Sequence, residues 1–157
     1  MTPRFFAHTL IGASGLLLVA ALGFEHIGEL APCALCYTQR YPHYAIVLIG
    51  VLSLVTALPQ RAVQISGLIL SGTAGLVAAY HSGVESGRFE GPSTCTSNET
   101  TSLSVDDLYA QVMSAPIVRC DDIAWSMFGL SMAAWHAVAC AVLVFGWAWL
   151  LISPRQV

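Results

Sequence analysis

The sequence predicts an all-α membrane protein, a bundle of four transmembrane helices with one long loop on the outer face. Of its 157 residues, 56% are hydrophobic and 10% charged, with a mean hydropathy of +0.70, whereas soluble domains carry roughly 25% charged residues. Four runs contain no charge: 5–24, 41–60, 62–84 and 123–154. Each run reaches the length of about 20 residues that a helix needs to cross a bilayer.

These runs predict spans at about 5–24, 42–58, 62–81 and 124–150, with outer loops at about 25–41 and 82–123. A chain of this length has room for about one domain, so we expect a single membrane domain over residues 1–157. The first run could instead be a cleaved signal peptide, since Arg4 precedes it. A spanning helix is favoured because the run is long and the other three spans need a packing partner.

The distribution of charge predicts the orientation and excludes some functions. The chain has no Lys, and its six Arg residues are scattered, so it lacks the basic clusters that nucleic-acid binding needs. Arg4, Arg61 and Arg155 all fall on one side of a four-span bundle, which we take as cytoplasmic. Residues 85–122 have a net charge of −5, which suits the outer face.

Two shorter patterns predict local structure. Small residues recur at every fourth position of the third span, where they allow close helix packing: Gly67, Ser71, Gly75 and Ala79. In the long loop, residues 103–113 predict a short amphipathic helix, with Ser104 and Asp107 in capping-box positions. This helix could lie flat on the membrane surface or simply cover the bundle.

The first cysteine pair, Cys33 and Cys36, forms a Cys-x-x-Cys motif in the short outer loop. Pro32 precedes it, as expected at the first turn of a helix, and a helix N-terminus lowers the pKa of a thiol. Arg40 follows one turn after Cys36. Arginine at the edge of an apolar span is costly, so a functional partner is the default hypothesis: a thiolate or a polar ligand oxygen.

Spacing alone leaves several interpretations of this motif open. Half of a zinc site is disfavoured because the chain has no second Cys-x-x-Cys pair, and we expect no metal there. Attachment of a c-type haem is disfavoured because Tyr37 stands where a His is required. A purely structural disulfide remains an alternative to redox catalysis, which the motif favours.

The second cysteine pair, Cys95 and Cys120, lies in the long loop. A bond between them would staple that loop, whereas beside the first pair they could also form an electron relay. Cys140, alone in the fourth span, is interpreted as a small core residue. His81, at the outer end of the third span, could lie level with Arg40, and His136 is expected to satisfy a hydrogen bond inside the bundle.

Several of these segments together resemble the DsbB family of bacterial inner-membrane disulfide bond formation proteins. The matching segments are Pro-Cys-Ala-Leu-Cys-Tyr-Thr-Gln-Arg at 32–40, Ala-Ala-Tyr-His-Ser-Gly-Val-Glu-Ser-Gly at 78–87, Gly-Pro-Ser-Thr-Cys at 91–95, Arg-Cys-Asp at 119–121, Trp125, and Phe-Gly-Leu-Ser-Met at 128–132. The resemblance covers nearly the whole chain.

The resemblance implies an enzyme, a quinone-dependent protein-dithiol oxidoreductase. It would reoxidise a DsbA-like periplasmic thiol oxidase and pass the electrons to a membrane quinone, ubiquinone or menaquinone. It would be a multi-pass inner-membrane protein with cytoplasmic termini and periplasmic cysteine pairs. The alternative is a non-catalytic tetraspan membrane protein with structural disulfides.

The resemblance also implies roles for particular residues. Cys33 and Cys36 would be the pair beside the quinone, with Cys36 the sulfur that engages it. Cys95 and Cys120 would exchange with DsbA, with Cys95 forming the mixed disulfide. Arg40 would belong to the quinone site, and His81 would lie near its pocket.

Overall fold

The computed structural model describes residues 3–92 and 118–153, together with Asp106, Tyr109 and Met113. Within these residues the chain forms four long helices and one small antiparallel hairpin. Their bounds are α1, Pro3–His26; α2, Ala34–Val55; α3, Gln60–Glu85; β1, Ser126–Met127; β2, Leu130–Ser131; and α4, Met132–Ile152. The predicted all-α class is therefore correct apart from the hairpin.

Three of the four helices are long and apolar enough to cross a membrane: α1 from Arg4 onward, α3 and α4. Helix α2 has 22 residues, but its first half carries Gln39, Arg40 and His43, which lower its mean hydropathy. Those polar side chains are buried in the bundle. Helix α2 therefore resembles the other three in length and differs from them in what its first half presents to the interior.

Helices α3 and α4 share the largest interface between the described elements. At Gly67 an added Cβ would lie 2.4 Å from the Trp147 ring, and at Gly75 it would lie 3.1 Å from the Cβ of Cys140. Trp147 and Ser71 are fully buried. The predicted small-residue stripe thus lies at this interface as far as Gly75, whereas Ala79 is exposed and its neighbour Ala78 is buried instead.

The hairpin delays the start of the last helix. Phe128 and Gly129 form its turn with φ of 53° and 78°, the two positive values that a type I′ turn requires. Ser131 then caps α4, accepting the N–H of Ala134 at 3.2 Å and donating its hydroxyl to Glu85 at the end of α3. Helix α4 therefore begins at Met132, later than the span predicted from residue 124.

Two sequence predictions fall largely outside the described residues. Of the short helix predicted over 103–113, Asp106, Tyr109 and Met113 are helical and exposed. The capping-box residues Ser104 and Asp107 lie outside the described residues, as does Cys95.

The contact between Gly67 and Trp147 predicts a large difference between two glycines of α3. We expect Gly67→Ala to lower the melting temperature in detergent, because a methyl group against a buried indole overpacks the interface, typically by about 1–3 kcal/mol. The matched control is Gly72→Ala, where nothing lies within 4 Å of an added Cβ. That change should leave stability equal or raise it by up to about 1 kcal/mol through helix propensity. Equal melting temperatures for the two variants would contradict the packing.

Candidate redox site

Cys33 occupies the N-cap of α2, where its sulfur is hydrogen-bonded to Cys36 in two ways. The backbone N–H of Cys36 donates to Cys33 Sγ at 3.3 Å, and the two sulfurs share a hydrogen bond at 3.1 Å. Both cysteines are free in this structure. The Cys36 hydrogen bond, reinforced by His81, lowers the pKa of Cys33 well below that of an ordinary thiol. Cys33 therefore carries the anion of the reduced pair.

His81 lies against Cys33 and reaches it from α3. Its Nε2 is 3.6 Å from Cys33 Sγ, and its Nδ1 accepts the Gln39 side-chain N–H at 2.7 Å. Because Nδ1 accepts, the ring proton of the neutral histidine is on Nε2, which faces the sulfur. Nε2 is also 3.9 Å from Oε1 of Glu85. The sequence predicted that His81 could lie level with Arg40, and the two line the same cavity.

Cys120 packs into the same apolar cluster as the first cysteine pair. It is fully buried and disulfide-bonded. Cys33, Leu35 and Val84 complete the buried cluster, with Cys36 packed against it. The residues on either side of Cys120 in the chain also contact each other: Arg119 donates two hydrogen bonds to Asp121, at 2.9 and 2.5 Å. The fold thus brings one member of the second cysteine pair beside the first pair.

Arg40 has a partner that the sequence analysis did not identify. Its guanidinium forms an ion pair with Glu25 at the end of α1 and lies 5.3 Å from the centre of the Tyr37 ring. The Tyr37 hydroxyl also donates to Glu25, at 3.3 Å. The sequence signal for this partner is the position of Glu25, an acid directly after the first charge-free run. The charge of Arg40 is balanced, and its Nη2 also donates to the Ala21 carbonyl at 3.4 Å. A guanidinium has five N–H donors, so others are left for a ligand.

A cavity of about 400 Å³ opens between the helices beside these residues. Its polar lining includes Arg40, Gln39, His81 and Glu85, and both cysteines of the first pair reach it. Most of the remaining wall is apolar, including Leu17, Leu18, Phe24, Val118, Trp125, Met132 and Trp135. A largely apolar cavity with a few convergent polar groups is typical of a small-molecule site.

Comparisons with known proteins place the chain in one family. Residues 3–150 match the family described as "Disulfide bond formation protein DsbB". A protein named disulfide bond formation protein B from Shewanella sp. strain MR-4 is 32% identical over 85% of this chain and 82% of its own. A protein of the same name from Polaromonas sp. strain JS666 is 30% identical over 76% of this chain and 73% of its own.

An uncharacterized protein from Rickettsia prowazekii is 26% identical over 94% of this chain and 87% of its own length. No solved structure matches the chain. The family match covers nearly all the described residues, including the cysteine cluster and the cavity. The chain therefore belongs to the DsbB family of disulfide bond formation proteins.

Proposed function

We propose that this protein reoxidises a DsbA-like periplasmic thiol oxidase and passes the electrons to a membrane quinone, ubiquinone or menaquinone. The observation that carries the proposal is the packing of disulfide-bonded Cys120 against the reduced Cys33 and Cys36. A cysteine of the second pair that is buried against the first pair can exchange a disulfide with it directly. The cavity beside them offers a place for an apolar electron acceptor.

Every step before the quinone is a thiol–disulfide exchange that conserves electrons. A thiolate of the reduced partner attacks Cys95 of the Cys95–Cys120 disulfide and forms a mixed disulfide with it. The second thiol of the partner then attacks this mixed disulfide, and the partner leaves in its oxidised form. The Cys120 thiolate next attacks the Cys33–Cys36 disulfide, and the second pair re-forms its own disulfide. Cys33 and Cys36 are left as a dithiol, which loses two electrons and two protons when its disulfide forms again.

The cavity fits a quinone in size and chemistry. Its volume of about 400 Å³ lies within the range of roughly 300–1,000 Å³ typical of small-molecule sites, and its apolar walls suit a ring that partitions into lipid. A bound quinone supplies a two-electron acceptor. Arg40 would donate to a ligand oxygen from the edge of the site, and Cys36 would face the ligand while Cys33 holds the anion beside His81.

The same proposal includes a fourth membrane crossing by α2. Its second half, from residue 44 to Val55, is apolar and carries no charge. Its first half buries Gln39, Arg40 and His43 among the other helices. With four crossings the two termini and the turn at Arg61 lie in the cytoplasm, and both cysteine pairs face the periplasm, where disulfides persist.

The direct test mixes the purified protein with reduced DsbA and a quinone, and follows quinone reduction. We expect turnover only when both substrates are present, and we expect Cys→Ser replacement at any of the four site cysteines to abolish it: Cys33, Cys36, Cys95 and Cys120. The double variant Cys33→Ser/Cys36→Ser should still oxidise one equivalent of DsbA without reducing quinone, because the second pair remains intact.

The rival function is a tetraspan protein with structural disulfides. It predicts disulfides that stay unchanged in the presence of both substrates. Full turnover by Cys95→Ser or Cys120→Ser would mean that the second disulfide only stabilises the long loop, and it would refute electron transfer between the two pairs.

The hydrogen bonds to Cys33 predict its pH profile. An ordinary thiol has a pKa of about 8.5, and the lowered pKa of Cys33 keeps it a thiolate below that pH. We expect the alkylation rate of Cys33, followed by peptide mass, to reach half its maximum well below pH 8.5. Cys36→Ala should move the midpoint upward because it removes the strongest stabilising hydrogen bond, and His81→Phe should do so as well. A midpoint near pH 8.5 in the unaltered protein would contradict this assignment.

Arg40 is predicted to act on quinone use more than on thiol exchange. Arg40→Ala removes the donor and leaves Glu25 without its cation, so we expect a higher KM for quinone and slower reduction. Arg40→Lys keeps the charge but loses the planar fork, so its activity should be intermediate. The matched control is Arg61→Ala, which also removes one positive charge. Arg61 lies at the start of α3, at the end of that helix away from His81 and the cavity. Equal losses in quinone reduction and in single-turnover exchange with DsbA would indicate a structural role.

A further inference from the structure

A line of polar side chains leads from the redox site into the middle of the bundle. Gln39 accepts the Nδ1–H of His136 at 2.6 Å, while its N–H donates to His81 on the other side. His136 Nε2 lies 2.9 Å from His43 Nε2, and Cys140 Sγ lies 3.7 Å from the same nitrogen. His43, His136 and Cys140, here called the inner triad, have no part in the electron route proposed above.

The inner triad presents three metal-ligand atoms to one point. Two imidazole nitrogens and one sulfur, each from a different side chain, all lie within 4.8 Å of one another. Metal–nitrogen bonds of about 2.0–2.1 Å and metal–sulfur bonds of about 2.3 Å place three ligand atoms in a plane around one ion about 3.5–3.8 Å apart. The sulfur–nitrogen separation of 3.7 Å matches this spacing. The nitrogen–nitrogen separation of 2.9 Å would widen by roughly 0.6 Å on binding.

Gln39 prepares His136 to bind a metal. Its side-chain oxygen can only accept, so the proton of neutral His136 is on Nδ1 and the lone pair of Nε2 faces the triad. Metal-binding histidines are typically oriented in this way by a hydrogen bond to their other nitrogen. His43 is 1% exposed and Cys140 is fully buried, so packing holds both ligands in place.

The charge of the site selects the metal. One thiolate and two neutral imidazoles leave a bound Cu(I) with no net charge, whereas Zn²⁺ would leave a positive charge among apolar helices, which is costly. Thiolate and imidazole ligands also suit Cu(I), which is soft. Zinc normally takes a fourth ligand, and the described residues offer only these three at this point. We propose that the inner triad is a binding site for monovalent copper.

Binding requires a proton to leave and another to move, with no change of oxidation state. The Cys140 thiol loses its proton as the sulfur–copper bond forms. His43, whose Nε2–H donates to His136 in the metal-free state, transfers its proton to Nδ1 so that Nε2 can bind. Within the described residues Nδ1 of His43 is buried without a hydrogen-bond partner. His43 and His136 line the cavity, which provides an entry path.

The test uses the full-length Cys33→Ser/Cys36→Ser protein, because Cys33, Cys36 and His81 form a second possible metal-binding group. The protein in detergent is titrated with Cu(I) under anaerobic conditions, in competition with a chromogenic Cu(I) chelator. We expect one tightly held Cu(I) per chain and much weaker retention of Zn²⁺. Adding Cys140→Ser should weaken Cu(I) binding by at least tenfold, and adding Gln39→Leu should weaken it by about 10–100-fold.

Circular dichroism and melting temperature establish that each variant is folded. If Cys140→Ser does not fold, His43→Phe in the same background serves instead and should show the same loss. Absence of stoichiometric Cu(I) from the parent, or equal Cu(I) affinity with and without Cys140 and His43, would overturn the site. Tighter binding of Zn²⁺ than of Cu(I) would overturn the choice of metal. These measurements use no quinone and no DsbA, so they are independent of the proposed function.

Discussion

The interior of the bundle depends on the side chain of Gln39. From α2 it donates to His81 on α3 and accepts from His136 on α4, so one amide joins three helices. A buried polar group without a partner costs about 1–3 kcal/mol, and this amide satisfies two imidazoles at once. It also decides which nitrogen of each ring carries the proton. The ring nitrogen facing Cys33 therefore donates, and the one facing His43 accepts.

The first helix contributes to the same arrangement through one carboxylate. Glu25 holds Arg40 at the wall of the cavity through an ion pair and accepts a hydrogen bond from the hydroxyl of Tyr37. Charge in an apolar environment is tolerated when it is paired, and this pair forms only when α1 ends beside the first two turns of α2. The position of the guanidinium is thus set by packing between α1 and α2 rather than by the Cys-x-x-Cys segment alone.

Much of the fold follows from the sequence because charge is so rare in it. The charge-free runs located α1, α3 and α4, and the stripe from Gly67 to Gly75 predicted that a neighbouring helix packs closely on α3. The sequence shows an acid, Glu25, at the end of the first charge-free run but not its contact with Arg40, and no local pattern reveals that Gln39 bridges two histidines. These contacts join different helices. The hairpin was missed because residues 124–131 carry no charge and continue the apolar run, while the positive φ of Phe128 leaves no compositional signal.

The polar first half of α2 has a consequence for biosynthesis. A segment carrying Arg40, Gln39 and His43 gains little from entering lipid by itself, since Arg at a helix centre costs roughly 2.5–3.5 kcal/mol during insertion. Residues 56–59 form a short connection to α3, whose own sequence is apolar enough to cross. In the proposed four-span arrangement, α2 and α3 would leave the translocon together as a helical hairpin in which Gln39 already meets His81 of α3. Arg40 would find its partner, Glu25, on α1, the helix inserted before them.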